Sequence, residues 1–212
     1  MNVAVAIVLA CTAGYVDALT YLAIGAFVAN VTGNTVFLAM AIVTAAWASA
    51  SKHGGALAAF VLGAMAGRTI LRRWSCPRCA LAAGACLILL SAPLRGLPRL
   101  VVLATAMGMQ DAAVMRFGGT SINTVFVSGD LVQFGDAVAN LGATPMASRK
   151  AWHLGGTWLA YLGGAAAGTV AARMPSHARV DWRLILAACV IAAIAMFATQ
   201  RDRESVHVAK SQ

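Results

Sequence analysis

The chain has 212 residues, of which 60% are hydrophobic and only 11% charged, where soluble domains carry roughly a quarter charged residues. With a mean hydropathy of +0.78, this composition excludes an ordinary soluble globule and points to an all-α polytopic membrane protein. The net charge of +9 does not indicate nucleic acid, because the 16 Lys and Arg fall almost entirely between apolar runs, where they meet lipid headgroups.

A hydrocarbon core about 30 Å thick takes a helix of about 20 residues. Apolar runs of that order predict eight spans, at about 3–24, 31–49, 54–71, 78–93, 98–117, 122–141, 151–173 and 181–199. The opening run MNVAVAIVLACTAG lacks a basic n-region and stays apolar to Ile24, so it reads as a span and not as a cleaved signal. Pro77, Pro93, Pro98, Pro145 and Pro175 fall in connections or at helix ends, where a missing N–H costs little.

Internal similarity organises these runs. Gly14-Tyr15-Val16-Asp17-Ala18 recurs as Gly108-Met109-Gln110-Asp111-Ala112 at an offset of 94, and Val31-Thr32-Gly33-Asn34-Thr35-Val36 as Val127-Ser128-Gly129-Asp130-Leu131-Val132 at 96. Gly55, Ala59, Gly63 and Gly67 match Gly156, Ala160, Gly164 and Gly168 at 101, and Arg72 matches Arg173. Ordered matches with slowly growing offsets are what loop insertions leave between homologous units. The expected organisation is two homologous four-helix repeats, 1–96 and 97–200, with a polar tail at 201–212. Four helices per half predict a parallel repeat; one non-spanning helix per half would invert the halves. Basic residues balance between the two faces and leave orientation open, although Arg68, Arg72, Arg73 and Arg78 favour the cytoplasmic side for the connection after helix 3.

The chain has seven acids, and four of them, Asp17, Asp111, Asp130 and Asp136, fall inside predicted helices. Acids in a span are costly, so they face a bundle interior or an aqueous cavity and mark candidate functional sites. Asp17 and Asp111 occupy equivalent positions and are expected to meet around the repeat axis, in reach of each other's charge. The plain alternative makes each a hydrogen-bonded packing residue. Gly33 and Gly129 weaken their helices locally, and Thr32, Asn34, Thr35, Ser128 and Asp130 can satisfy released backbone groups or bind a solute. Paired polar-glycine interruptions are the sequence pointer to broken transporter helices. A simpler reading makes the first copy a surface turn capped by Asn30, with Asn123 capping or lining the second.

The ladders containing Gly63, Gly67, Gly164 and Gly168 have the four-residue spacing of helix-packing faces. They suit contact across the repeat axis or with a second copy of the chain. Cys76-Pro77-Arg78-Cys79 has the spacing of a redox or zinc dithiol, but one C-x-x-C without a second ligand pair is a weak signal. No metal set and no cofactor motif is recognised.

The stretches AGYVDALTYLAIGAFVANVTGNTVFLAMAI and AMGMQDAAVMRFGGTSINTVFVSGDLVQFGD resemble the two signature regions of the YoaK-like family of bacterial inner-membrane proteins. The chain departs from that pattern at Asp111, where the family's Asn is expected, and at Asp130, where Thr is common. The resemblance implies a multi-spanning protein of the bacterial cytoplasmic membrane, consistent with small-metabolite transport, and supplies no substrate. Together these readings favour a non-enzymatic secondary transporter for a small polar solute, with or without proton coupling. Its expected site comprises Asp17, Asn30, Thr32, Asn34, Gln110, Asp111, Asn123, Ser128 and Asp130. Its expected partners are lipid and solute, with no nucleic acid, and a homo-oligomer is compatible with the glycine faces. A non-transporting scaffold or assembly protein is the alternative, ahead of an intramembrane aspartyl protease built on Asp17 and Asp130.

Overall fold

A computed structural model describes residues 3–114, 127–141, 145–174 and 180–210. Among these residues every regular element is helical: α1 (Val3–Ile24), α2 (Val31–Val43), α3 (Trp47–Trp74), α4 (Pro77–Ser91), α5 (Gly96–Val114), α6 (Val127–Ala139), α7 (Pro145–Arg173) and α8 (Trp182–Lys210). Of these, α1 and α3 are long and apolar enough to cross a membrane by length and composition.

The helix boundaries have local causes. Gly25 takes a positive φ of 81° and donates its N–H to Tyr21 O at 2.8 Å, a left-handed stop that suits glycine. Asn30 caps α2, its side-chain oxygen accepting from Gly33 N at 2.9 Å. Gly33 leaves room for that cap, because a Cβ there would sit 3.1 Å from the Asn30 amide and from the Phe27 ring. Ser75 closes α3 in the left-handed region, and Pro77 opens α4 at a position where no N–H is needed. Cys76 and Cys79 form a disulfide across that corner.

The second span expected at 31–49 is instead cut at Val43, and α3 opens at Trp47 rather than near 54. Ala45 adopts a φ of 54° there, and Ala46 N closes the corner on Ala41 O at 2.8 Å. At about 1.5 Å per residue the 13 residues of α2 reach only about 20 Å.

Helix direction overturns the expected parallel halves. Gln110 on α5 lies by Leu9 near the start of α1, whereas Arg99 and Leu103 near the start of α5 share a cavity with Leu19 and Ala23 near the end of α1. The two helices therefore run antiparallel. The cause is in the α1–α3 connection: Lys52 Nζ, near the start of α3, donates to Ile24 O at the end of α1 at 3.2 Å. The whole passage through α2 thus stays at one end of α1, and α3 runs back from there.

Close contact between glycine and backbone joins the helices across the chain. A Cβ on Gly164 would overlap Cys11 O, one on Gly168 would overlap Tyr15 O, and one on Gly14 would overlap Tyr161 O. This places α7 parallel to α1 at backbone contact. On the other side, Gly63 faces Thr105 O, Gly108 faces Phe60 O, and Gly67 faces Met109 and Ala112, so α3 and α5 are parallel in the same manner. Around them the core is small and aliphatic, with Ala13, Ala59, Ala106 and Ala188 beside Leu81, Ile88, Leu100 and Leu103.

Substituting Gly164 or Gly63 by Ala should therefore force two backbones apart and cost about 1–3 kcal/mol. Gly163 has nothing within 4 Å of its would-be Cβ, and Gly163→Ala should be neutral or stabilise by up to about 1 kcal/mol through helix propensity. Thermal melting of the three purified variants checks the contrast, and equal melting would contradict this packing.

Candidate functional site

Asp17 is the centre of the site. Its carboxylate is buried at 2% exposure, which requires hydrogen-bond partners for its oxygens. Oδ1 accepts from the backbone N–H groups of Val28 at 2.7 Å and Ala29 at 2.8 Å. Oδ2 accepts from the Tyr161 hydroxyl of α7 at 2.6 Å. Asp17 lies seven residues before the end of α1, about 10 Å along the axis, so the chain after Ile24 turns back into the bundle to present those two amides.

Asn34 fixes the same turn from the other side. Its Nδ2 donates to Phe27 O at 2.7 Å and its Oδ1 accepts from Phe27 N at 3.1 Å, so one side chain satisfies both polar groups of a residue outside any helix. His53 of α3 is buried with Nδ1 3.1 Å from the same Asn34 oxygen, which selects the tautomer that donates from Nδ1. The His53 ring stacks on Phe37 with centroids 5.2 Å apart, and Tyr21 stacks on Phe27 at 4.5 Å. The VTGNTV segment is thus the first turn and a half of a helix that starts inside the bundle, under an Asn30 cap.

The remaining expected residues divide into separate places. Thr32 is exposed. Gln110 and Asp111 are buried at 1% and 6%. Gln110 Nε2 reaches Leu9 O at 3.4 Å, while Gln110 Oε1 and Asp111 Oδ1 have no hydrogen-bond partner among the described residues. Arg68 of α3 is the cation whose charge acts on Asp111. Asn123 lies outside the described residues, as do the side chains of Ser128 and Asp130.

Asp17 and Asp111 do not share a site. Gln110 sits at the level of Leu9, and Asp17 is eight residues, about 12 Å, further along α1. The expected meeting of the two acids depended on parallel halves, and antiparallel helices carry the equivalent positions apart. Sequence reasoning missed Tyr161 and His53. Tyr161 stands inside a glycine ladder that reads as packing, and it matches Phe60 at the 101 offset, so nothing in the sequence singles out its hydroxyl.

Helices, reversed chain segment and buried clasp define an all-helical protein in which a carboxylate on the first helix anchors a chain reversal inside the bundle. The chain belongs to the family described as protein of unknown function (DUF1275), which matches residues 5–197. The YoaK-like resemblance of its two signature stretches is a resemblance to this family. No curated protein and no solved structure matches the chain.

Loss of the phenol in Tyr161→Phe should cost about 1.5–3 kcal/mol, the range for a hydrogen bond to a charged group. Asp17→Ala should cost more, since it strands two buried amides, and should accelerate hydrogen exchange at Val28 and Ala29. Asp136 is exposed, and Asp136→Asn should fall within about 0.5 kcal/mol of wild type. Melting and amide exchange on the three variants decide the matter.

Proposed function

We propose that this chain is an integral protein of the bacterial cytoplasmic membrane that acts as a secondary transporter for a small polar solute. Six helices, α1, α3, α4, α5, α7 and α8, cross the bilayer, while α2 and α6 enter and leave on the side from which they came. The two halves, 1–96 and 97–200, are then homologous and inverted. The single observation that carries this reading is the Asp17 clasp, which binds a chain reversal inside the bundle to Tyr161 on a helix of the other half. Non-helical backbone at membrane depth is tolerated where protein or a water-filled cavity covers it, and transporters build solute sites from such breaks between inverted repeats.

The contacts support the repeat. Gly14 on Tyr161 has its counterpart in Gly108 on Phe60, and Gly164 on Cys11 in Gly63 on Thr105, each pair related by the sequence offsets of 94 and 101. Leu38 against Gly54 is matched by Phe134 against Gly155, which supports equal roles for α2 and α6. The surface supports the membrane: Leu22, Met40, Trp47, Leu62, Met65, Leu90, Trp152 and Leu186 are all more than half exposed, an apolar exterior that water does not favour.

Within this reading Asp17 is structural, because both oxygens of its carboxylate are held by donors of the bundle. Asp111, with an oxygen unpartnered among the described residues, is the group left to exchange a proton or meet the solute. The scaffold alternative draws on the same completeness of the Asp17 clasp, and it differs in having no role for Asp111.

Single cysteines in a cysteine-free background test the topology. Cysteines placed at Ala46 and Val180 should react with an impermeant maleimide from one face of the membrane, and those at Arg73 and Leu141 from the other. Eight spans would instead put Ala46 with Leu141 and Val180 with Arg73. Thermal-shift screening of the purified protein against small polar metabolites, at mildly acidic and mildly alkaline pH, tests the function. A pH-dependent stabilisation absent from Asp111→Asn, followed by uptake of that compound into vesicles, is the expected result. Uptake that is identical in wild type and Asp111→Asn would remove the proton-coupled form of the proposal.

A further inference from the structure

The end of the bundle opposite the start of α1 holds a second polar cluster, on residues that the Asp17 clasp does not use. Asp181, just before α8, is 6% exposed and is held by two arginines. Arg183 forms a bidentate pair with it, Nε to Oδ1 at 2.6 Å and Nη2 to Oδ2 at 2.9 Å, and Arg99 of α5 places Nη1 3.0 Å from Oδ2. Burial works against the charged carboxylate, but the hydrogen bond and charge of Arg183, with the charge of Arg99, outweigh it and hold its pKa below the ordinary carboxylate value. Arginine keeps its proton in proteins, so two cations face one anion.

The donors are also in excess. Each guanidinium carries five N–H groups. Arg99 uses three, on Asp181, Ala92 O and Leu94 O. Arg183 uses four, two on Asp181 and one each toward Ala171 O and Ala172 O. Among the described residues, three N–H groups and one positive charge remain unmatched in side chains that are only 15% exposed.

Both arginines and Asp181 line a cavity of about 200 Å³ whose other walls include Leu19, Leu103 and Leu184, with Leu22 and Ala23 at its rim. An apolar wall facing a net-positive floor selects a particular chemistry. Guanidinium forks match planar carboxylate and phosphate oxygens, and aliphatic side chains take an apolar substituent. We propose that this cavity binds one anionic group, a carboxylate or a phosphate, on the spare N–H donors of Arg99 and Arg183, with its apolar part along Leu19, Leu103 and Leu184. The site stands apart from the transport reading: it requires only the cavity and its charges.

The occupant is either a soluble anion or the phosphate of a lipid, and the test separates them. Detergent-purified full-length protein is melted with inorganic phosphate, with butyrate and with chloride at matched ionic strength, and in mixed micelles with and without phosphatidylglycerol. Ala23→Trp and Leu22→Trp, both at exposed rim positions, fill the cavity and leave the ionic cluster untouched. At saturation, phosphate or butyrate should raise the melting temperature of wild type by roughly 5 °C over chloride, with the rise lost in a folded Trp variant. A rise with phosphatidylglycerol alone, again lost in the Trp variant, assigns the site to a lipid phosphate. No rise with any of the three probes, or a rise that survives in both Trp variants, overturns the proposal. Vesicle uptake is read separately, so a protein that transports and does not bind these anions refutes this site and leaves the transport reading in place.

Discussion

A buried carboxylate must find donors, and the way Asp17 finds them organises the first half of the chain. Two of its three donors are backbone amides eleven and twelve residues ahead in sequence, reachable only if the chain stops its helix at Ile24 and turns inward. Gly25 supplies the stop, Asn34 fastens both polar groups of Phe27, and Asn30 caps the helix that follows. A hydrogen bond to a charged group contributes about 1.5–3 kcal/mol, and leaving such a group unpaired in the interior costs more than the bond itself supplies. An alternative with α2 crossing straight back would strand the carboxylate. With α2 held at one end, α3 must start beside the end of α1, and every later helix inherits its direction from that choice.

The glycine contacts complete what the clasp begins. Helices approach to backbone contact only where both surfaces are small, and the close pairs are α1 with α7 and α3 with α5. Each pairing joins the first helix of one sequence half to the third helix of the other. Dispersion between backbones, summed over many short contacts, is the available driving force where no large side chains interlock. Tyr161 belongs to both systems: its carbonyl lies under Gly14 while its hydroxyl holds Asp17. Packing between the halves and satisfaction of the buried acid are therefore coupled at one residue of α7.

Much of this was legible in the sequence, and the gaps have physical reasons. Asp17, the polar-glycine segment and the glycine ladders announce themselves because each is costly or useless in an apolar helix without a partner. Helix direction was not legible, since a period of 3.6 residues is the same read from either end; only the connection decides it, and Ala45 makes the decisive corner without Gly or Pro. The Tyr161 hydroxyl was hidden by a ladder that explains its neighbours. Arg99 and Asp181 are 82 residues apart, and no local pattern links an arginine after a proline to an aspartate before a helix. Sequence reasoning failed on pairings across long separations and on the one corner, at Ala45, that no turn residue marks.

The halves are not chemically equal, and the inequality has a direction. At the repeat offsets Asp17 becomes Asp111, but the Tyr161 phenol becomes Phe60, Asn34 becomes Asp130 and His53 becomes Leu154. The clasp around Asp17 therefore combines an amide and an imidazole from 1–96 with a phenol from 97–200, whereas the offset positions carry hydrocarbon at Phe60 and Leu154 and a further acid at Asp130. Adding the Arg99–Asp181–Arg183 cluster, whose offset positions Val5, Ala80 and Ala82 carry no charge, extends the contrast to the ends of the bundle. An exact inverted repeat would let either end open with equal ease, since each half could adopt the other's shape at no net cost. Here, among the described residues, the end that contains the clasp and the ionic cluster is the one tied by these side-chain hydrogen bonds. On the transport reading, the resting equilibrium is set by this difference, and the solute or proton that shifts it must act through the half in which Asp111 has an oxygen unpartnered among the described residues.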